Sequence, residues 1–199
     1  MTGIELIDKL RTAIEDPSAN IFTDDNCIDA INNAHLELGN ILPIEKLADL
    51  QTTHTFAPSN TNDSEDLPEV PFRGAVLDVR QSTSSEHTQT IEIIPKSMSR
   101  AFNNHYYTPD IDYPMCYIDD LGNTPIINYW GVGTGVITVT YLSKPTVLTS
   151  GSLSSFLPFE DNIEIIALAL AESILWKIDN KPQRVDLAYK KALGMVEVV

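Results

Sequence analysis

Apolar residues recur at spacings of three and four over residues 1–40, alternate with polar ones from about residue 51, and return to the helical spacing after about residue 156. Leu6, Ile7, Leu10 and Ile14 form one helical stripe. Thr2 and Glu5 precede it in the S/T-x-x-E arrangement that satisfies the first free amides of a helix. Asp16-Pro17-Ser18 ends that helix, because a proline pushes the residue before it out of the helical region. A second helix starts after Thr23-Asp24-Asp25, where a hydroxyl cap and two acids suit the positive end of the helix dipole. Its buried stripe is expected to be Cys27, Ile31, Ala34 and Leu38, with Gly39-Asn40 as the stop and Pro43 opening a short third helix over residues 44–50.

The alternating region is enriched in Thr, Val, Ile and Tyr and predicts strands near 51–57, 74–80, 89–95, 115–119, 125–130 and 135–142. Between the first two lies PSNTNDSEDLPEVP, with three prolines and four acids in fourteen residues, which reads as a mobile loop because it has little apolar surface to bury. Residues 81–87 read as a second polar loop, and Leu121-Gly122-Asn123 as a turn between paired strands.

After Thr149-Ser150-Gly151-Ser152 the helical period resumes with a helix from about Glu160. Ile163, Ala167, Leu170, Ile174 and Ile178 make one stripe, while Ile165, Leu168 and Leu175 lie on other faces, the pattern of a helix central in a bundle or shared between subunits. Asn180-Lys181-Pro182 breaks the chain, and a last helix carries Val185, Ala188, Tyr189, Ala192 and Val196 on one face. The order predicts an α+β fold: a helical bundle from residues 1–50 and 156–199, with an inserted antiparallel β module over 51–155.

The 199 residues and 43% hydrophobic content suffice for a real core, and the formal charge of −15 disfavours pairing with phosphates or an anionic membrane. The longest apolar stretch, 163–178, is interrupted by Glu164 and Glu172 and falls short of a bilayer span, so no membrane association is expected. The N-terminal segment lacks the apolar run of a secretory signal. Cys27 and Cys116 belong to no paired motif, and a reducing compartment is the simpler reading.

Candidate chemistry is sparse, and neither catalytic residues, nor a cofactor, nor a metal is expected. The four histidines, His35, His54, His87 and His105, show neither an i, i+4 pair nor H-E-x-x-H spacing, and are read as packing or surface residues. Trp130-Gly131-Val132-Gly133-Thr134-Gly135 resembles a phosphate loop, but a strand follows it instead of the helix whose amides would bind the anion, so a flexible hairpin connection is expected. Asp110, Asp112, Asp119 and Asp120 lack the spacing of a calcium loop. The aromatics Phe102, His105, Tyr106, Tyr107, Tyr113 and Tyr117 are interleaved with no base apart from Arg100, which favours packing or a protein contact over nucleic-acid stacking. Lys177, Lys181, Arg184, Lys190 and Lys191 give the last segment a basic edge, read chiefly as a solvated helical face. Met195-Val196-Glu197-Val198-Val199 is an apolar stretch that favours a protein partner.

Two short helices, a β insertion, Pro114 to Asp119, the Ile126-Ile127-Asn128-Tyr129 strand, Val136 to Tyr141 followed by Ser143-Lys144-Pro145, and Leu157-Pro158 opening an alanine-rich helix together resemble the head-to-tail adaptors of tailed bacteriophages. The long 58–71 loop is a departure from that pattern. The resemblance implies a non-enzymatic virion protein, assembled in the host cytoplasm. It would form a ring, usually of twelve copies, that docks to the portal, contacts the next neck or tail protein and lets DNA pass without specific binding. On that reading Ile165, Leu168 and Trp176 are expected in subunit packing, and Met195, Val196, Val198 and Val199 in docking to the portal. The alternatives are a tail or baseplate module that binds a receptor or protein through residues 102–117 and, as a weaker one, a small hydrolase or metal enzyme.

Overall fold

The first helix, α1 (Gly3–Ala13), begins with the reciprocal cap that its sequence calls for. The Glu5 N–H donates to Thr2 Oγ1 at 3.4 Å and the Thr2 N–H donates to Glu5 Oε2 at 2.9 Å. The computed structural model describes residues 1–82, 87–103, 108–119, 124–155 and 157–196, the side chains of 101–103 excepted. Beyond α1 the chain turns over Asp16, whose nearly buried carboxylate accepts the Asn20, Ile21 and Phe22 N–H groups at 2.8, 3.1 and 2.9 Å. These donors, that of Phe22 foremost, hold the Asp16 carboxyl below the usual carboxylate range.

Helix α2 (Asp24–Ile41) repeats the reciprocal cap with Thr23 and Asn26, and Cys27, Ile31, Ala34 and Leu38 are all fully buried, as their spacing requires. It runs past Gly39-Asn40 because Gly39 sits on the buried face, where a missing side chain is no reason to stop, and Leu42 closes it with an N–H to the Leu38 carbonyl at 2.9 Å. The short helix expected over 44–50 is two 3-10 turns, Ile44–Lys46 and Ala48–Leu50.

Helices α3 (Asp161–Ile178) and α4 (Pro182–Val196) complete the set, and α1, α2 and α4 each pack on α3. Ile163, Ala167 and Leu170 are buried as expected and Ile174 is half-buried, whereas Ile178 at the end of the stripe is 62% exposed. One buried residue of α3 is an acid. Glu164, 0% exposed, accepts the Phe159 N–H at 3.1 Å on Oε1 and lies 2.7 Å from His35 Nε2 on Oε2. His35 is 1% exposed and packs edge-on against Phe159. The pair joins α2 to α3 and gives the buried Glu164 carboxyl a partner in His35 Nε2, while His35 Nδ1 is buried with no hydrogen-bond partner among the described residues.

The chain divides into two compact units, Met1–Leu50 with Lys144–Val199, and Gln51–Ser143. Residues 144–155, counted with the β module in the sequence, cluster with the helices. There Asn32 bonds both backbone groups of Leu148, at 3.0 and 2.8 Å, as a neighbouring strand would, and the Ile4 N–H donates to the Leu153 carbonyl.

The second unit holds two four-stranded sheets. One has the order β1 (Gln51–Phe56), β8 (Val136–Leu142), β3 (Val76–Ser82), β4 (Thr88–Thr90). The other has the order β2 (Asp63–Asp66), β7 (Ile126–Trp130), β6 (Met115–Asp119), β5 (Glu92–Ile93). All pairings are antiparallel except β5 with β6. Val79, Ile137, Val139 and Tyr141 from the first sheet share one core with Cys116, Ile127 and Tyr129 from the second. The class is α+β, with helices toward both ends and a central β module.

Three segments of the β unit depart from the sequence pattern. The acidic segment 58–71 contains strand β2, which is ordered by its ladder with β7 and by burial of Leu67 and not by any apolar alternation of its own. The strand expected at 89–95 is broken into β4 and β5, which belong to different sheets. The strand expected at 74–80 starts two residues later, because Phe72–Gly74 is a 3-10 turn with Arg73 at φ 58°. The turn at 121–123 lies outside the described residues.

Replacing Glu164 by Ala is expected to cost about 3–5 kcal/mol, since it leaves buried His35 Nε2 without its partner and the Phe159 N–H without its acceptor. Denaturant unfolding checks this, and the loss in a Glu164→Ala/His35→Ala double variant should fall short of the sum of the single losses. Because Asp16 is held below its ordinary value, its stabilising effect is complete at neutral pH and is lost as pH falls below about 3.8 through the folded value. Asp16→Asn is therefore expected to lower stability at pH 7 and flatten the acid limb of a circular-dichroism pH titration.

Candidate interaction surface

Surface chemistry in the helical unit follows from how α3 is packed. Ten of its residues are buried, among them Ile163, Ile166, Leu170, Leu175 and Trp176. Asp161, Ile165, Leu168 and Glu172 recur at spacings of four, three and four, which aligns them on one side of the helix. That side reaches solvent: Ile165 is 46% exposed, and Leu168 and Glu172 are half-buried. Leu168 lies at a shallow seam of about 410 Å³ with Asp8, Lys9, Thr12 and Ala13 of α1.

Of the three residues expected in subunit packing, Ile165 and Leu168 therefore share one accessible stripe, and Trp176 does not. Its ring is 4% exposed, meets Phe22 edge-on at 6.3 Å and carries the Arg184 guanidinium 4.4 Å above its face. Its indole N–H donates to Glu172 Oε1 at 3.3 Å. Trp176 thus supports the stripe from within the chain.

Helix α4 buries only Ala188 and Ala192 completely, with Val185, Met195 and Val196 half-buried. Leu187 is 73% exposed, Tyr189 38% and Leu193 37%. Burial was expected for Tyr189, on the α4 stripe, but a helix packed on a single neighbour has only a narrow inward face. Met195 and Val196 end the described part of α4, and Val198 and Val199 lie outside the described residues. Near the α3–α4 turn a groove of about 410 Å³ has Ile174, Val185 and Tyr189 beside Lys177, Lys181, Glu37 and Asp186, so the basic edge there is balanced by acids.

The other candidates resolve into structural roles. His35 is spent on Glu164, while His54 stacks on Phe56 and lies 3.9 Å from Glu65. His87 is exposed, and His105 lies outside the described residues. Asp110 accepts the Asp112 and Tyr113 N–H groups at 3.0 Å each, and Asp119 pairs with Lys96 at 2.6 Å. Asp120 falls outside the described residues. Among the described residues, no group of three or more His, Cys, Asp or Glu is placed to hold a metal ion, and no helix is long and apolar enough to cross a membrane.

The glycine-rich segment is not a hairpin, because it carries the chain from β7 in one sheet to β8 in the other. Gly131 sits at φ 71°, and a Cβ there would collide with the Asp110 backbone. Gln81, fully buried, clamps Gly133 by donating to its carbonyl at 2.6 Å and accepting its N–H at 3.2 Å. Of the aromatic group, Tyr117 stacks on Trp130 at 5.3 Å and Tyr113 is 73% exposed. The side chains of Phe102, His105, Tyr106 and Tyr107 lie outside the described residues.

Residues 1–197 match the family model described as SU10 adaptor protein. No curated protein matches the chain. Both cysteines are free and buried, and burial pushes the Cys116 thiol up to about 12. Cys116 is accordingly expected to resist alkylation by iodoacetamide in the folded protein at pH 8 and to react after unfolding in urea, which mass spectrometry of the alkylated peptides would show.

Proposed function

The chain belongs to the SU10 adaptor protein family, and from that premise we propose that it is a structural component of the head–tail junction of a tailed bacteriophage. Copies of the chain form a ring below the portal, join the DNA-filled head to the next neck or tail protein, and line the path of the DNA. The observation that carries this reading is the family match over residues 1–197, which spans both the helices and the β module.

Physical features of the chain support each part. A helix buried by three neighbours that still presents Ile165 and Leu168 to solvent has a reason to do so if a further subunit covers them. Trp176 holds that surface from behind. The apolar residues Met195, Val196, Val198 and Val199 offer a short segment to dock on the portal. At −15 per chain, a ring of twelve would carry about −180 before counter-ions, and acidic surface facing the channel would repel the phosphates of passing DNA. Assembly and docking of this kind require no bound cofactor or chemical step.

Deleting Met195–Val199 is expected to leave a folded protein that no longer joins portal-bearing heads. Circular dichroism would check the fold, and electron microscopy of particles complemented with the truncated protein would count filled heads without tails. Normal tail attachment in particles lacking the protein altogether would overturn the reading.

A further inference from the structure

Two faces of the helical unit are left open, and their charges are opposite. On α3 the line that reaches solvent runs acid, apolar, apolar, acid: exposed Asp161 and Ile165, then half-buried Leu168 and Glu172. The Asp161 side chain stays 74% exposed even while it pairs with the Met1 amino group. On α4 the outward side, opposite Ala188 and Ala192, carries Leu187 between Lys190 and Lys191, all exposed. Among the described residues neither lysine makes an ion pair with its own chain.

Gly194 lies one heptad beyond Leu187 on the same side of α4. Glycine inside a helix is less stable than alanine. Here no described residue calls for it, because a Cβ at this position would meet no atom of the described residues within 4 Å. A bare patch of backbone beside an exposed leucine is suited to a bulky apolar side chain arriving from outside.

We propose that the outer face of α4, Leu187, Lys190, Lys191 and Gly194, of one copy packs on the Asp161, Ile165, Leu168, Glu172 stripe of α3 in the next copy. The proposal rests on the ring reading and names the contact that would build the ring. Charge selects the occupant. Two α3 stripes would bring acids against acids, and two α4 faces would bring lysines against lysines, so each face rejects itself and accepts the other. A contact between unlike faces leaves each growing assembly with one free face of each kind at its two ends, so it propagates from copy to copy and makes a ring when the rotation between copies closes. Chains at −15 also repel one another overall, so a complementary patch is needed to hold neighbours together.

The test uses the full chain in assembled particles. Ile165→Cys and Leu187→Cys are placed singly and together, with native Cys27 and Cys116 buried away from the reagent, and a flexible bis-maleimide of about 10 Å is added. The expected result is a ladder of covalent multimers from the chain carrying both changes, and uncoupled monomers from either single variant. Dimers from Leu187→Cys alone, or no ladder in particles that contain several copies, would overturn the pairing and leave the ring reading standing. A single copy per particle would overturn the ring itself. In a second arm, Lys190→Glu/Lys191→Glu is expected to cut incorporation into particles at least tenfold, and adding Asp161→Lys/Glu172→Lys to the same chain to restore most of it. Gly194→Ala should raise the Tm of the isolated chain while reducing incorporation. Normal incorporation of both the lysine and the glycine variants would overturn the proposal.

Discussion

Burial of the Glu164 carboxyl is the constraint on which the helical unit depends. Glu164 stands in the first turn of the helix that the other three pack against, and no water reaches it. A carboxyl in that position is tolerable only with hydrogen-bond partners, and it accepts the Phe159 N–H on one oxygen and meets His35 Nε2 on the other. The second partner comes from α2, so forming the pair brings an element from the start of the chain onto one from near its end. Apolar packing supplies most of the stability of such a unit, but packing alone tolerates sliding; a buried polar pair gives α2 and α3 a defined register.

The β unit answers a different constraint, which is how to order a polar chain. Its sheets share one apolar core, yet β2 is Asp63-Ser64-Glu65-Asp66 and contributes almost nothing to it. Backbone pairing with β7 orders that strand, and its acids are suited to an edge because they discourage further strands from adding there. Gln81 acts in the same way inside the unit. It spends both ends of its amide on Gly133, pinning a segment whose glycines would otherwise leave it loose.

The proposed function calls on surfaces more than on a pocket. The histidines and clustered acids that a search for chemistry singles out are mostly occupied by structural partners wherever they are described. What stays open is a stripe on α3 with Ile165 46% exposed and a face on α4 with Leu187 73% exposed. Trp176 shows the difference between composition and position: an aromatic on the central helix looks available in the sequence, but Phe22 and Arg184 enclose it.

The sequence by itself determined the local features. Thr2 with Glu5, and Thr23 ahead of Asp24 and Asp25, mark helix starts, because a cap is satisfied within three residues; Cys27, Ile31, Ala34 and Leu38 mark a buried face, because 3.6 residues per turn align them. The strand 115–119 and the strong alternation of 136–142 were legible for the same reason, and the resemblance to phage adaptors rested on the order of such elements. Only the tertiary structure decided which neighbours those elements meet. It made a strand of Asp63–Asp66, divided 89–95 between two sheets, turned the glycine segment into a crossing between them, and separated exposed Ile165 from enclosed Trp176 eleven residues later on the same helix. Each of these depends on a partner distant in sequence, and the hydrophobic period along a chain records that a side chain is buried or exposed without recording what lies against it.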